Sequence, residues 1–259
     1  MNKQDLYPES FPTNRFLARS RISLYKKRVE KTIAVINDAV EKKLSWYVAC
    51  SGGKDSVVLA HMVNNIMPGI KIWSEKDEFD FPGERDYMTD LARRYSWDID
   101  IVSPKVSMEE KARRLGVCED LHSHGTEFSD EFFYALIAQQ ERLYGGVFLG
   151  LRCDESQRRR RNFMKRGYIY KRKNGKHTCI PLAAWSADDV FAYLVSNEIP
   201  ILEVYFKTLH FDGDPCKIRK SWYLPSARAA SGQCAWLKYY YPDLYYKLLE
   251  IDPGVSNYV

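Results

Sequence analysis

From Ile22 to Leu44, apolar side chains recur at positions 22, 25, 29, 33, 36, 40 and 44. Steps of three and four predict an amphipathic helix with one face on a core. "SWYVAC" (45–50) then reads as a short buried strand, and Ser56 to about Asn65 as a helix. "IKIWSE" (70–75) is a second strand, followed by an acidic loop, "FPGE", and a helix to about Tyr95. "DIDIV" (98–102), "GVFLGL" (146–151) and "HTCIPL" (177–182) predict three more strands. Helices are expected over "SDEFFYALIAQQERLYG", with Ser129 or Asp130 as cap, and over "SADDVFAYLVSNE", with Ser186 as N-cap and Asp189 three residues on. Strands alternating with helices predict an α/β fold with a mostly parallel sheet covered on both faces. Ligands of such folds sit at the carboxyl ends of the strands, where strand order reverses. Residues 1–44 read as a helical segment packed on the core, 45–200 as the main domain, and 201–259 as an aromatic-rich C-terminal subdomain.

Composition changes this picture little. The 259 residues include 45% hydrophobic and 28% charged side chains, ordinary for a soluble globular protein. No apolar run approaches the roughly 18 residues of a membrane span, and "MNKQDLYPESFPTNRF" lacks the apolar stretch of a secretory signal. A cytoplasmic location without membrane attachment is expected. Six cysteines, at 50, 118, 153, 179, 216 and 234, form no CxxC pair and read mostly as reduced core thiols.

Charge is more informative. The chain carries a net +5, yet Arg152 to Lys176 alone holds eleven Lys/Arg against Asp154 and Glu155, a local +9. Arg158, Arg159, Arg160, Arg161, Lys165 and Arg166 interleave with Tyr168 and Tyr170, a candidate nucleic-acid footprint. A solvated hairpin or a disordered basic loop would have the same composition.

"SGGKDS" (51–56) lies between the first strand and its helix. Glycines there allow positive φ and close approach of backbone N–H groups, and the helix adds its own free amides and positive dipole end. Ser51 and Ser56 supply hydroxyls, Lys54 a cation, and Asp55 a carboxylate that can reach Mg²⁺. This is a phosphate cradle. It is not a Walker A loop, which spaces its glycines differently.

The loop resembles the PP-loop of N-type ATP pyrophosphatases, which split ATP between the α and β phosphates. "FPGE" (81–84), "GLRCDESQRR" (150–159) and "PLAAWSADDVFAYL" (181–194), in that order, resemble the phosphoadenosine-phosphosulfate (PAPS) reductase-like branch. The four stretches span over half the chain. The resemblance implies a doubly wound sheet of five parallel strands, with a small C-terminal helical appendage. It implies ATP and Mg²⁺, with phosphates on Ser51, Gly52, Gly53, Lys54, Asp55 and Ser56, and adenine near the ends of the first two strands. Gly150 and Arg152 would face the nucleotide, with Lys54 and Arg152 catalytic and Asp55 at the metal. Asp154 and Glu155 would orient Arg152 and its neighbours.

The pattern also departs from its relatives. PAPS reductases use a cysteine on a C-terminal tail, whereas the last cysteine here is Cys234. Cys216 and Cys234 stand apart where iron–sulfur members carry closer pairs, so no cluster is expected. The reading that remains is ATP pyrophosphatase activity that activates a substrate, with the DNA backbone as substrate and sulfur insertion (phosphorothioation) as outcome. A cysteine desulfurase would then be the sulfur donor and a partner. A sulfonucleotide reductase, an adenylyltransferase on a small substrate, and a non-catalytic ATP sensor stay open, as does oligomeric state, a homodimer included. Cys216, flanked by Lys217, Arg219 and Lys220, is a candidate thiolate for a sulfur relay, and Cys153 beside Arg152 is a second; both are equally compatible with inert thiols. His122 and His124 read as a loop pair without metal. The tyrosines at 239–241 and 245–246 read as packing or an interface more than as a stacking platform.

Overall fold

The structure is a computed structural model that describes residues 6–77, 79–103, 107, 140, 142–220, 232–251 and 253–259. Two helices, α1 (Thr13–Arg21) and α2 (Ser23–Val40), lead into β1 (Trp46–Ala49). Then follow α3 (Lys54–Ile66), β2 (Lys71–Glu75), α4 (Glu84–Tyr95), β3 (Asp98–Val102) and β4 (Gly146–Leu149). The chain continues through α5 (Gln157–Arg166), β5 (Ile169–Lys171), β6 (His177–Cys179) and α6 (Ala187–Ser196), and ends in α7 (Cys234–Tyr240) and α8 (Pro242–Ile251).

Six strands form one sheet in the order β3-β2-β1-β4-β6-β5. The five from β3 to β6 are parallel, as expected, while β5 is an antiparallel edge that the pattern did not predict. From β1 the chain builds outward to β2 on one side and later returns to β4 on the other. Strand order therefore reverses between β1 and β4, and a crevice opens at their carboxyl ends.

Three sequence expectations change. The helix drawn from Ile22 to Leu44 is α2, which starts at Ser23 and ends at Val40; an extended Ile22 separates it from α1, a helix the pattern did not predict. The buried face of α2 carries Tyr25, Thr32, Val35, Ile36 and Ala39, while Ile22 and Ile33 of the predicted stripe are about 40% exposed (39% and 40%). Phe16 of α1 is buried and stacks on Phe191 of α6 with centroids 5.0 Å apart. The basic window is neither wholly loop nor wholly hairpin. It folds as α5 and then the β5–β6 hairpin, and α5 buries none of its side chains. The helix expected over 129–145 falls outside the described residues except at 140 and 142–145, and Cys118, His122 and His124 lie outside them.

The Ser186 cap forms as predicted, and its Asp189 does more than cap. The Asp189 carboxylate accepts from the Ser186 amide (2.8 Å) and hydroxyl (2.9 Å), from Arg19 Nε (2.8 Å) and from Arg28. A fully buried anion thus ties α1 and α2 to α6. On the other side of the core, Trp236 of α7 is buried against Phe81 and Tyr241 and donates to the Lys207 carbonyl (2.6 Å). Among the described residues, a main core runs from Tyr7 to Val255, and a smaller cluster gathers Tyr47, Trp73 and Val147.

Gly146, the first residue of β4, lies against the Trp46 ring, and a Cβ there would stand 2.4 Å from it. That ring is buried, packs on Phe148 and is pinned by its bond to the Ala39 carbonyl (3.0 Å). Gly146→Ala is expected to destabilise by about 1–3 kcal/mol, the usual cost of overpacking, read as a lower urea midpoint with unchanged m-value.

Candidate active site at the β1–β4 crevice

A cleft of about 490 Å³ opens at the carboxyl ends of β1, β2 and β4. Loop 51–56 forms its floor, with Ser51, Gly53, Lys54, Asp55 and Ser56 among the lining residues. Trp73 and Glu75 line it from β2, Leu149 and Gly150 from the end of β4, and Tyr205, Arg219 and Lys220 from the C-terminal part of the chain. Arg159 of α5 stands at the same cleft.

Close approach explains two of the glycines. Gly52 has φ of +81°, and a Cβ there would meet Glu84, Met88 and Lys76 at 3.1–3.3 Å. Gly150 brings the end of β4 onto the first turn of α3, where a Cβ would lie 3.0 Å from the Asp55 carbonyl and the Ser56 amide. Ser56 Oγ donates to the Gly53 carbonyl (2.9 Å) and lies 3.3 Å from Ser51 Oγ, so the hydroxyls of the loop are joined.

Two charge networks hold the loop, the first of them largely buried and the second reaching the surface at Asp154. In the first, Lys76 and Lys220 both donate to the Ser51 carbonyl and both pair with Glu84. Lys76 and Glu84 are fully buried, and Asp80 lies 3.9 Å from Lys76. Burial, reinforced by Glu84, pushes Asp80 up to about 6. Burial and the neighbouring Lys76 hold Lys220 below the ordinary lysine value. In the second, Asp55 gives one oxygen to Lys54 Nζ (3.0 Å) and the other to Arg152 Nε. Burial alone would raise Asp55, but Lys54 and Arg152 outweigh it and hold the carboxyl low. Arg152 also takes both oxygens of Asp154 (2.8 and 2.6 Å), while Glu155 gathers Arg159, Arg219 (3.3 Å) and, at 3.9 Å, Arg152.

The residues singled out in the sequence therefore occupy different places. Ser51, Gly53, Lys54, Asp55, Ser56 and Gly150 line the cleft, whereas Gly52 and Arg152 sit behind it. Lys54 is only 4% exposed, and its ammonium group lies over the rings of Tyr205 (5.3 Å) and Phe191 (5.9 Å). Its amide, the first of α3, donates to Tyr205 Oη (3.1 Å). Both Asp55 oxygens are engaged by cations, so in this arrangement Asp55 does not fit as a ligand for Mg²⁺.

Of the α5 cations, Arg159 turns back to the cleft, while Arg158, Arg160, Arg161, Lys165 and Arg166 are exposed. Cys216, the candidate thiolate, is not surrounded by the cations that flank it in sequence. Burial, with Asp188 and Asp214 nearby, pushes this thiol up to about 12, and Lys217 turns to Asp212 while Lys220 goes to the loop. Burial likewise raises Cys153, and Cys50 is core beneath the loop.

The functional side chains that sequence reasoning missed are Lys76, Glu84, Tyr205, Arg219 and Lys220. Glu84 closes the "FPGE" stretch, and Arg219–Lys220 were visible only as neighbours of Cys216. Nothing local marks Tyr205, which reaches the loop across 151 residues of chain.

The sequence model for the phosphoadenosine phosphosulfate reductase domain matches residues 45–237. The chain belongs to this family. PAPS reductase from Candida auris, solved as a phosphate complex, is similar at TM-score 0.50 and 24% identity, over 70% of this chain and 86% of that one. FMN adenylyltransferase from Candida glabrata has TM-score 0.50 and 14% identity, over 76% of this chain and 67% of that one. Both likenesses are of fold. An uncharacterized protein of Methanocaldococcus jannaschii is 21% identical over 236 residues, 87% of this chain and 53% of that protein. The chain thus spans about half the length of that relative. Among the described residues, no helix is long and apolar enough to cross a membrane.

Asp80 supplies a pH test of the first network. Its folded value near 6 lies above the ordinary 3.8, so it disfavours the folded state as the carboxyl ionises. Its contribution to stability is greatest below about pH 4 and falls as pH rises from about 4 to 6. Asp80→Asn is expected to remove that fall, seen by comparing urea midpoints of the two proteins across this range.

Proposed function

We propose that the protein binds ATP in the β1–β4 cleft and splits it between the α and β phosphates, releasing pyrophosphate and adenylating an acceptor. The observation that carries this reading is the meeting of four cationic or amide-bearing elements at one opening: loop 51–56, Arg219, Lys220 and the first turn of α5. Negative charge spread over phosphoryl oxygens is what preorganised cations stabilise. The Ser51 and Ser56 hydroxyls and the loop amides would cradle phosphates. Lys220, Arg219 and Arg159 would neutralise the leaving pyrophosphate. Lys54 and Arg152, drawn into Asp55, would set the loop's shape from behind. Gly52 and Gly150 would keep the approach open.

In this reaction an acceptor oxygen attacks the α phosphorus. The bond from that phosphorus to the bridging oxygen breaks, and pyrophosphate leaves with the electron pair. Magnesium would arrive with the nucleotide as MgATP. The AMP then makes the acceptor oxygen a leaving group for a sulfur nucleophile. The acceptor read from the exposed cations of α5 is a nucleic acid, DNA, undergoing phosphorothioation with a cysteine desulfurase supplying sulfur. With Cys216 held protonated and Cys153 raised, a relay through either thiol would require displacement of its neighbours.

Chromatography of the products from radiolabelled ATP with Mg²⁺, with and without single-stranded DNA, tests the reading. AMP and pyrophosphate are expected, with Lys220→Met slower by about 100-fold or more, the usual loss for one preorganised charge or donor. ADP and phosphate would refute α–β cleavage. Sulfite released from a sulfonucleotide under reducing conditions would assign reductase chemistry instead.

A further inference from the structure

A second concavity, of about 100 Å³, lies between α2 and the turn that follows α5. Lys27, Arg28 and Lys31 line it from α2, Tyr168 from the chain beyond α5, and Trp185 closes it from the core side. Among the described residues, no carboxylate lines it. Lys27 and Lys31 are one helical turn apart on the same face, an unfavourable pairing of like charges. Both are exposed, and among the described residues neither is ion-paired. Lys31 extends over the Tyr168 ring (5.6 Å). Arg28 is fixed by Asp189, whose single charge is shared with Arg19, so the cluster stays strongly cationic.

We propose that this pocket is a second phosphate subsite, at the far end of a track along which the nucleic-acid acceptor lies. The proposal rests on the nucleic-acid reading above and deepens it. Arg159, near the start of α5, stands at the cleft, and Tyr168, two residues past its end, forms the pocket wall while packing edge-on against Phe163 of α5 (4.8 Å). The helix between them holds six Arg/Lys in ten residues and buries none of them. Such a row of like charges repels itself, and folding alone does not return that cost. A ten-residue helix is about 15 Å long, the rise of roughly four steps of a strand stacked as in a duplex at about 3.4 Å each, and of fewer steps if the strand is extended. A strand whose reacting backbone group sits at the cleft would therefore set a phosphate at Lys27 and Lys31 up to about four nucleotides away.

The test uses the full chain and a labelled single-stranded 12-mer, with anisotropy measured as a function of KCl. Lys27→Glu/Lys31→Glu is expected to weaken binding at least tenfold. It should also reduce the slope of log affinity against log salt by about 0.7, the share of one phosphate in a single strand. ATP affinity should be unchanged, which certifies the fold, and a trimer, too short for the track, should bind wild type and variant alike. Equal affinity and slope for the 12-mer would overturn the proposal. If Arg158→Glu/Arg161→Glu weakens binding while the pocket variant does not, the nucleic-acid reading stands and the pocket is excluded from it. If the wild-type protein binds no oligonucleotide, both fall. Inorganic phosphate binding that depends on Lys27 and Lys31, with oligonucleotide binding indifferent to them, would mark a free-anion site and also overturn the track.

Discussion

The carbonyl oxygen of Ser51 receives two ammonium groups, Lys76 from the end of β2 and Lys220 from the C-terminal part of the chain, and one carboxylate, Glu84, answers both. This contact sets the level at which loop 51–56 lies over the sheet. Both ammonium groups meet the same Glu84 oxygen, while its other oxygen has no hydrogen-bond partner among the described residues, and a single deletion would strand a buried charge at a cost of about 3–5 kcal/mol. Asp80, carrying the second negative charge at the margin, is the member whose ionisation burial opposes. The arrangement joins three distant parts of the sequence, around residues 51, 76–84 and 220.

The opposite flank of the loop is fixed in the same manner with signs exchanged. There an anion, Asp55, is held between Lys54 and Arg152, and Arg152 is held in turn by Asp154. The charged residues that look catalytic by type are thus largely consumed in shaping the backbone. What faces the opening is a set of amides and hydroxyls together with cations that already have anionic partners, Lys54 with Asp55, Lys220 with Glu84, and Arg159 and Arg219 with Glu155. Division of labour of this kind suits a site that must stabilise charge spread over several oxygens, because a rigid cradle need not reorganise as the charge moves.

Much of the architecture was legible. Alternating strands and helices gave the parallel sheet, and the Ser186–Asp189 capping signature gave the start of α6. Five of the seven stripe positions, Tyr25, Val29, Ile36, Val40 and Leu44, do pack on the core, while α1, for which no such stripe was read, was missed. The three-residue strand β5 carries no alternation long enough to read, and its register comes from the hairpin with β6. At the site, the glycines and Lys54 are contiguous and so visible. Tyr205, Arg219 and Lys220 are not, because their relation to the loop is tertiary. The charge run was visible as composition, yet only the fold shows that Arg159 turns inward while its neighbours face outward.

Glu155 gives the cleft a further property. Arg159 and Arg219 rest on its carboxylate, with Arg152 close by. In the proposed reaction a polyphosphate entering the cleft would not meet free cations; it would displace a resident anion. Nucleotide binding would then be an exchange of counter-ions inside the protein, with a dependence on ionic strength shallower than the number of basic residues suggests. The same exchange would run backward as pyrophosphate departs, with Glu155 recapturing the arginines, so that the fold itself would carry the competitor that clears the site.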